Sequence, residues 1–411
     1  MTTPCSGAGK MRKIFGPGIV LAALLSVPFA RGQEGSGDLS VEVTRETLRE
    51  LRLLEPAWDS AVVNRESGLL LVGDDGVPTV RLAFPAAEIL EVRSADGETT
   101  FDVGDDLRLD PTGTRLSIER THGVQTIREA ERFLPVESPM SYRHRVGDPE
   151  TGLLYAPGRW FHDRSVEVTY VRADRAAEAT NDDRGAEFFG RARTTDDPRA
   201  FALPRTLAAL REGRPLTIGI SGDSISTGLD ASYKVGAPPN QTGYAELVVA
   251  QLREATGSEI TLVNLSVAGW SVANGIEDLA AMNGAKPDLL IVAYGMNDVG
   301  RRDPDWFRER TAELIAGARA ANPEVEIVLV ATMLGNADWI HTPAEMFPKY
   351  RDELQCLTGP GIALADLTEV WTVLLERKDF LDLTGNGLNH PNDFGHRLYA
   401  QAILRGLLSG D

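Results

Sequence analysis

The sequence predicts an α/β protein in which a doubly wound parallel sheet is preceded by a β-sandwich. From residue 214 onward, short continuous apolar runs alternate with amphipathic stretches, which is typical of parallel strands buried on both faces and the helices that cover them. Before residue 172, short segments instead alternate polar and apolar residues, at the spacing of strands in a sandwich. The length of 411 residues is enough for two or three domains.

The first 32 residues are expected to be a signal peptide. They carry Lys10, Arg12, Lys13 and Arg31 without an acidic residue, and their apolar run covers residues 14–30. A basic start, an apolar middle and small residues at the end are typical of a secretory signal. The run is broken by proline and is shorter than the roughly 20 apolar residues of a membrane span. We therefore expect an exported protein, periplasmic or extracellular, with no membrane attachment after signal removal.

Residues 33–172 are predicted to form the N-terminal β-sandwich domain. Segments 106–110 and 115–119 alternate polar and apolar residues around a turn at Pro111 and Gly113, and segments 79–84, 88–93 and 165–170 behave similarly. Residues 173–213 are rich in Ala, Arg, Asp and Thr and are predicted to be a linker.

Residues 214–411 are predicted to form the second domain, with a parallel sheet and helices on both of its faces. The predicted strands are 216–221, 260–264, 288–293, 325–330 and 361–365, each a short apolar run. Helical periodicity appears between them, at 244–252 and 306–320, and again at 394–408, where Asn392 and Asp393 can cap the helix.

Polar or glycine residues follow three of these strands at positions suited to acyl-transfer chemistry. Ser224 ends the tripeptide after the first strand, Gly269 follows the second strand and Asn297 follows the third. The carboxyl ends of parallel strands open on one edge of the sheet, where such folds bind ligands. A serine nucleophile needs a base and N–H donors for the developing oxyanion, so the convergence of these residues predicts a serine-dependent site.

The base is sought among six histidines. His122, His144 and His162 lie in the strand-rich half, and His341 lies in a loop after the fourth strand of the second domain. His390 precedes Pro391, which keeps it in an extended loop at the sheet edge, and it is the preferred base. His396 remains the alternative, because Asp393 and His396 have an Asp-x-x-His spacing.

Four blocks of the second domain resemble those of the SGNH (GDSL-type) hydrolase family: Gly222-Asp-Ser224, Gly269, Gly295-Met-Asn297 and His390-Pro391. The resemblance covers residues 214–411. It implies that Ser224 is the nucleophile, that the N–H groups of Ser224 and Gly269 and the Asn297 side chain form the oxyanion hole, and that His390 is the base.

One position departs from this family pattern. The family usually has an aspartate three residues before the histidine, and this chain has Gly387 there. Asn386, Asn389 or Asp382 are the candidates for the third member, and a Ser–His dyad is the other possibility.

The resemblance implies a secreted serine esterase that works through an acyl-enzyme. An exported enzyme of this family with an N-terminal β-sandwich resembles bacterial carbohydrate esterases, so the expected substrate is an acetylated polysaccharide or oligosaccharide. Trp270, Trp339 and Tyr294 lie near predicted strand ends, where they can stack on sugar rings. The alternatives are a lipase or thioesterase acting on longer acyl chains and a non-catalytic carbohydrate-binding relative.

Charge and composition exclude several other classes of function. The formal net charge is −18, and such a surface repels nucleic acid and anionic lipid. The sequence contains no metal-ligand cluster, phosphate-binding loop or cofactor motif, so we expect neither a metal nor a cofactor.

Overall fold

A computed structural model describes residues 43–177 and 201–408 of the protein. The expected signal peptide, residues 1–32, and the middle of the expected linker, residues 178–200, lie outside the described residues. Within the two described ranges, no helix is long and apolar enough to cross a membrane.

The first described range is rich in strands. It begins with helix α1 (Arg45–Leu51), which Thr44 caps by accepting the N–H of Thr47 at 3.1 Å. The strands of this range are β1 (Val62–Leu69), β2 (Leu71–Val72), β3 (Pro78–Arg81), β4 (Ala86–Ser94), β5 (Leu107–Leu109), β6 (Arg115–Ile118), β7 (Ile127–Arg128), β8 (Phe133–Pro135), β9 (Ser141–Tyr142), β10 (Thr151–Leu154) and β11 (Ser165–Arg172).

These strands form three small sheets. The first sheet is antiparallel with the order β1-β11-β4, the second has the order β5-β6-β3-β2-β7, and the third has the order β8-β10-β9. The first two sheets meet where Val80 packs on Gly68, since a Cβ at Gly68 would lie 2.0 Å from Val80 Cγ1. The structure thus confirms that this region is rich in strands and that two of its sheets are in contact, which is a less specific statement than the predicted β-sandwich.

The second described range contains the predicted parallel sheet. Its strands are β12 (Leu216–Gly222), β13 (Ile260–Asn264), β14 (Leu289–Ala293), β15 (Glu326–Ala331) and β16 (Ile362–Asp366), and their order is β13-β12-β14-β15-β16. All neighbouring pairs are parallel. Every residue of β14 and β15 is buried, which explains why these strands are continuous apolar runs in the sequence.

Helices cover both faces of this sheet, as the reversal of strand order at β12 requires for right-handed crossovers. The helices are α2 (Pro204–Arg211), α3 (Tyr244–Thr256), α4 (Val272–Glu277), α5 (Leu279–Ala285), α6 (Pro304–Ala321), α7 (Phe347–Gln355), α8 (Leu367–Leu375) and α9 (Asp393–Leu408). Helices α3 and α9 pack through the stacked rings of Tyr244 and Tyr399, whose centroids are 5.2 Å apart. Helices α6 and α7 pack through Phe307 and Tyr350 at 4.9 Å. The doubly wound α/β fold is therefore confirmed.

Short 3₁₀ helices complete the described secondary structure, at Glu129–Arg132, His162–Arg164, Ala173–Arg175, Val299–Arg301, Ala344–Met346 and Phe380–Asp382.

Buried charges join the strand-rich region to the parallel-sheet domain. Lys378 Nζ donates to Glu66 Oε1 at 2.7 Å, and the Arg397 guanidinium donates to Glu167 Oε1 at 2.9 Å. All four side chains are almost fully buried. Removing one partner of such a pair leaves an uncompensated charge in the interior, so these contacts hold the two regions in one arrangement. Residues from Val43 onward accordingly form one compact unit.

Candidate active site

Ser224 lies just past the end of β12, at the point where the strand order of the sheet reverses. Ligands of open α/β sheets bind at this switch point. The chain turns sharply there, because Asp223 Oδ1 accepts the N–H of Ile225 at 3.0 Å. Gly222 has no room for a side chain, since a Cβ would lie 2.3 Å from Ser226 Oγ. The Gly-Asp-Ser tripeptide therefore forms a tight turn that brings Ser224 to the carboxyl edge of the sheet.

His390 is the histidine that reaches this serine. Its Nε2 atom lies 2.9 Å from Ser224 Oγ. The loop before it is held by Asn386, whose Oδ1 accepts the N–H groups of Leu388, Asn389 and His390 at 2.9, 3.1 and 3.3 Å. Thr384 Oγ1 also donates to the carbonyl of His390 at 2.9 Å. These bonds place the imidazole ring independently of any substrate.

Asp230 is the third residue of the hydrogen-bonded series that begins with Ser224 and His390. It was not among the residues predicted from the sequence. Its Oδ2 atom lies 2.6 Å from His390 Nδ1, on the side of the ring opposite Ser224. Asp230 has a left-handed backbone conformation with φ of 62°, which aspartate adopts more readily than most residues. The sequence signal for Asp230 is an aspartate six residues after Ser224 in the same loop, far in the sequence from the histidine.

The candidates proposed from the sequence for this third position are wrong. Asn386 and Asn389 bond to each other and to the backbone of their own loop. Asp382 is buried against the strand-rich region, where its Oδ1 accepts the N–H of Leu69 at 2.9 Å. The possibility of a Ser–His dyad without a third group is also contradicted, because Asp230 bonds to His390.

Gly387 explains why the acid comes from elsewhere in the chain. This residue has a φ of +89°, and a Cβ built on it would lie 2.2 Å from the backbone oxygen of Leu154 in β10. No L side chain fits there without displacing the strand-rich region. The contact between the two regions thus removes the position that an aspartate would need three residues before His390, and Asp230 supplies the carboxylate instead.

His396, the alternative base, does not bond to Ser224. It is fully buried, and its Nε2 atom donates to the carbonyl oxygen of Leu229 at 3.1 Å. Burial lowers the pKa of His396 to about 4, which favours its neutral form. Asp393, its partner in the Asp-x-x-His spacing, accepts the N–H of Ser232 at 2.7 Å. This pair therefore holds the segment that carries Asp230.

Gly269 and Asn297 follow the strands on either side of β12. The Val267 N–H donates to the Gly222 carbonyl at 3.2 Å, which extends the pairing of β13 up to the loop of Gly269. Asn297 Nδ2 donates to the carbonyl oxygen of Trp270 at 2.9 Å. Since a primary amide carries two N–H bonds, this contact orients the Asn297 side chain and leaves one donor. Both Gly269 and Asn297 are exposed to solvent.

Asp298 ties these two loops together. Its carboxylate accepts the N–H groups of Val272 and Gly295 at 3.1 and 3.0 Å. The sequence analysis assigned no catalytic role to this residue, and its contacts are with the backbone. Burial raises the pKa of Asp298 to about 7, and burial likewise raises the pKa of Asp223 to about 7. Asp298 thus acts as a buried link between the loops of Gly269 and Asn297.

The arrangement can move a proton from Ser224 to His390 while Asp230 fixes the orientation of the imidazole ring. Among the described residues, the backbone N–H groups of Ser224 and Gly269 donate to no protein acceptor, which leaves them available for an oxyanion. The same part of the chain contains no group of three or more His, Cys, Asp or Glu side chains placed to hold a metal ion.

Of the three aromatic residues considered for sugar stacking, Trp270 and Trp339 are half-buried and Tyr294 is buried. Tyr294 is buried and its hydroxyl lies 2.9 Å from Ser221 Oγ. Trp270 packs against the hydrophobic core. Trp339 is half-buried and contacts the rings of Tyr142 and His341. Tyr294 is thereby excluded as a sugar contact.

Comparison with known proteins identifies the family of this region. The model of the GDSL-like lipase/acylhydrolase family matches residues 220–398, which include Ser224, Asp230, Gly269, Asn297 and His390. No curated protein matches the chain.

Several solved structures are similar to the chain at low sequence identity. A two-domain esterase (CEX) active on acetylated mannans is 19% identical with a TM-score of 0.41, over 53% of this chain and 54% of that protein. This chain thus spans about half the length of that esterase. The acetyl-xylooligosaccharide esterase Axe2 from Geobacillus Stearmophilus is 22% identical with a TM-score of 0.37, over 47% of this chain and 94% of that one. The lipase Lip_vut3 from a goat rumen metagenome is 14% identical with a TM-score of 0.39, over 47% and 98% of the two chains.

Proposed function

Because residues 220–398 belong to the GDSL-like lipase/acylhydrolase family, as the sequence resemblance predicted, we propose that this esterase domain works by serine acyl-enzyme chemistry on acetylated carbohydrates. The observation that carries the proposal is the continuous chain from Ser224 Oγ through both nitrogens of His390 to Asp230 Oδ2, with distances of 2.9 and 2.6 Å.

In the first step, His390 Nε2 takes the proton of Ser224 Oγ as the serine oxygen attacks the carbonyl carbon of the ester. Asp230 accepts the hydrogen bond of His390 Nδ1–H, which keeps Nε2 unprotonated and facing the serine. The tetrahedral intermediate then collapses, the bond to the alcohol breaks, and the leaving oxygen takes the proton from His390. The products of this step are the free alcohol and an acyl-Ser224 ester.

The negative charge of the intermediate needs donors on the side of the site away from His390. The N–H groups of Ser224 and Gly269 and the remaining Nδ2–H of Asn297 are assigned this role. Their loops follow three adjacent strands, β12, β13 and β14, and Asp298 links two of them. Donors held in place before the reaction stabilise the oxyanion without reorganisation. In the second step, His390 deprotonates a water that attacks the acyl carbon. The bond to Ser224 Oγ then breaks, the serine oxygen takes the proton back from His390, and acetate is released.

The carbohydrate substrate is supported by the openness of the site and by charge. Gly269 and Asn297, two of the proposed oxyanion donors, are exposed, which favours a site open to solvent over a deep apolar tunnel. A long acyl chain gains its affinity from enclosed apolar surface, whereas an acetyl group does not need it. The formal net charge of −18 fits a neutral hydrated substrate better than anionic lipid.

The experiment that tests this proposal measures acetate release from acetylated xylan and hydrolysis of 4-nitrophenyl esters, for the unchanged protein and for Ser224→Ala. We expect both activities to require Ser224. His390→Ala should abolish them as well, while His396→Gln should retain folded, active protein. A matched series of 4-nitrophenyl acetate, butyrate and octanoate gives the acyl preference, and a preference for octanoate with no release from xylan would indicate a lipase. No Ser224-dependent cleavage of any of these esters would favour a carbohydrate-binding protein.

The proposal includes export and the division of the chain. Residues 1–32 are proposed to be a signal peptide, on the basis of their basic start and apolar middle, followed by the domains 33–172 and 214–411 joined by 173–213. N-terminal sequencing of the protein recovered outside the cytoplasm of an expression host tests this point. A mature chain that still begins before residue 14 would contradict it.

A further inference from the structure

Five aromatic rings form a row outside the hydrophobic core. None of the five belongs to either of the two clusters of buried hydrophobic side chains in the described residues. In order, the aromatic row consists of Tyr155, Tyr142, Trp339, His341 and His144. The successive ring centroids are 5.0, 5.7, 5.0 and 5.5 Å apart, with interplanar angles between 61° and 80°. These are edge-to-face contacts, in which each ring supports the next and keeps part of its face open.

The aromatic row is built by both halves of the protein. Tyr142 ends β9, while Trp339 lies in the loop after β15. The two backbones are joined there, because Val146 N–H donates to the Asp338 carbonyl at 2.7 Å and Ile340 N–H donates to the His144 carbonyl at 3.1 Å. The relative positions of the rings are therefore set by main-chain hydrogen bonds and not only by side-chain packing.

The inner end of the row lies beside the loop that carries His390. Tyr155 directly follows Leu154, whose carbonyl oxygen lies against Gly387. Burial raises the pKa of Tyr155, and the negative charge of Asp230 raises it further. The loop of Trp339 is also anchored here, since Asn336 Nδ2 donates to the Gly387 carbonyl at 2.8 Å.

The row adjoins the loop that carries His390, the residue that donates the proton to the leaving alcohol in the proposed reaction. The leaving oxygen takes its proton from His390, so the alcohol portion of the substrate must lie next to the His390 loop. That loop carries Gly387, which both Leu154 and Asn336 contact. The proposed oxyanion donors Gly269 and Asn297 belong instead to the loops after β13 and β14.

The chemistry of the row suits sugar rings better than alkyl chains. Tyr142 is 36% exposed, and His144 and His341 are exposed as well. Charged residues adjoin the row in the sequence, among them Arg143 next to Tyr142 and Asp338 next to Trp339, both exposed. Flat apolar faces edged by hydrogen-bonding groups match a pyranose, which presents C–H bonds on its faces and hydroxyl groups on its rim.

We propose that the aromatic row binds the sugar rings of the alcohol portion of an acetylated oligosaccharide. This inference rests on the proposed function, and it assigns the strand-rich region a direct share in substrate binding. The row extends over several successive rings, so it favours an oligomer over a single acetylated sugar.

The test compares kcat/KM for acetylated xylo-oligosaccharides with kcat/KM for 4-nitrophenyl acetate, whose alcohol portion is not a sugar. Tyr142→Ala and Trp339→Ala should each lower the ratio of the two constants by at least about tenfold, a usual loss when an aromatic anchor is removed from a binding surface. Tyr142→Phe, which keeps the ring, should lower it less. Trp58→Ala is the matched control: Trp58 lies beside Arg405, outside the row, and its removal should leave the ratio unchanged.

A second measurement does not depend on turnover. In a Ser224→Ala background, titration calorimetry with the same oligosaccharides should show a Kd raised at least about tenfold by Trp339→Ala. If a substitution lowers kcat/KM equally on both substrates and leaves the Kd unchanged, the row only supports the His390 loop. An unchanged ratio of the two constants would likewise overturn the inference. Both results leave the proposed function intact if 4-nitrophenyl acetate cleavage requires Ser224. Cleavage that persists in Ser224→Ala would overturn the proposed function itself.

Discussion

The Nδ1 atom of His390 lies 2.6 Å from Oδ2 of Asp230, a residue of the loop that also carries Ser224. The carboxylate and the serine therefore approach the imidazole from the same segment of chain, and the histidine comes from a separate loop before α9. His396 and Asp393 hold this segment through Leu229 and Ser232. The geometry of the site consequently depends on the contact between the loop after β12 and the start of α9.

Asp230→Asn should lower kcat on 4-nitrophenyl acetate by on the order of 10³- to 10⁴-fold. The amide cannot accept the Nδ1–H bond with the same strength and stabilises the wrong tautomer of His390. Steady-state kinetics at fixed pH measures the loss, and circular dichroism verifies that the variant is folded.

Asp352→Asn serves as the matched control for this substitution. Asp352 is an exposed aspartate on α7 and pairs only with a surface arginine, so its replacement should leave kcat within about twofold. A comparable activity in Asp230→Asn and the control would show that His390 works without a carboxylate partner.

Gly387→Asp would restore the aspartate expected from the family pattern, but it should damage the protein. A Cβ at this position lies 2.2 Å from the Leu154 carbonyl oxygen, at a φ of +89°. We expect a loss of about 2 kcal/mol or more in the free energy of unfolding, together with lower activity because the His390 loop must shift.

Gly284→Ala is the control for Gly387→Asp. Gly284 lies in α5, is exposed, and has nothing within 4 Å of a built Cβ. Alanine there should raise the free energy of unfolding by about 0.5–1 kcal/mol, because alanine has the higher helix propensity. Urea titration measures both changes. A Gly387→Asp variant as stable as the unchanged protein would contradict the close packing of β10 on this loop.

Lys378→Met should lower the free energy of unfolding by about 3–5 kcal/mol. Glu66 then stays buried without its cation, although Tyr170 Oη still donates to its Oε2 at 2.7 Å. Adding Glu66→Gln should recover part of the loss, since Asp382, whose Oδ2 lies 3.7 Å from Lys378 Nζ, is then the one carboxylate of this cluster that has lost its cation.

Lys349→Met, at an exposed lysine near the start of α7, should change stability by less than about 0.5 kcal/mol.

Thermal unfolding of the Lys378 variants should remain a single transition, because the strand-rich region and the parallel-sheet domain share this buried pair. Two separate transitions in the unchanged protein would contradict that coupling.

Acidification should destabilise the protein through His396. Burial lowers its pKa to about 4, below the value of about 6.5 expected in the unfolded chain, so the unfolded state binds the proton first. The stability contributed by neutral His396 is complete above about pH 6.5 and is lost as the pH falls toward 4. Asp223 and Asp298 act in the opposite direction, because their raised pKa values of about 7 make stability fall as the pH rises from about 4 to 7.

Comparison with the His396→Gln variant isolates the contribution of His396 to the pH dependence of the free energy of unfolding. Between pH 7 and pH 5 the unchanged protein should lose about 2 kcal/mol more of its free energy of unfolding than this variant. Urea titrations at the two pH values measure the difference. His122→Gln, at a half-exposed position in the strand-rich region, should not reduce the loss. Parallel pH dependence in the unchanged protein and His396→Gln would contradict a buried, neutral His396.

The elements of the second domain, and the edge of its sheet where polar residues gather, can be predicted from the amino-acid sequence. Strands β14 and β15 are fully buried and β12 is nearly so, and their apolar runs are therefore visible without a structure. Residues that follow parallel strands converge on one edge of the sheet. His390 was selected because few histidines exist and because Pro391 keeps its loop extended. The strand-rich region was visible from alternation, but its division into three small sheets was not, since several of its strands have only two to four residues.

The carboxylate that bonds to His390, and the groups around it, depend on contacts between distant parts of the chain. Asp230 and His390 are separated by 160 residues, and their contact depends on how the loop after β12 packs on the start of α9. Gly387 lacks a side chain because β10 of the strand-rich region occupies the space, a contact that no local pattern encodes. The aromatic row likewise joins residues of two regions. Side-chain periodicity reports the face on which a residue lies, whereas contacts between distant segments arise from packing, which becomes defined only when the whole chain has folded.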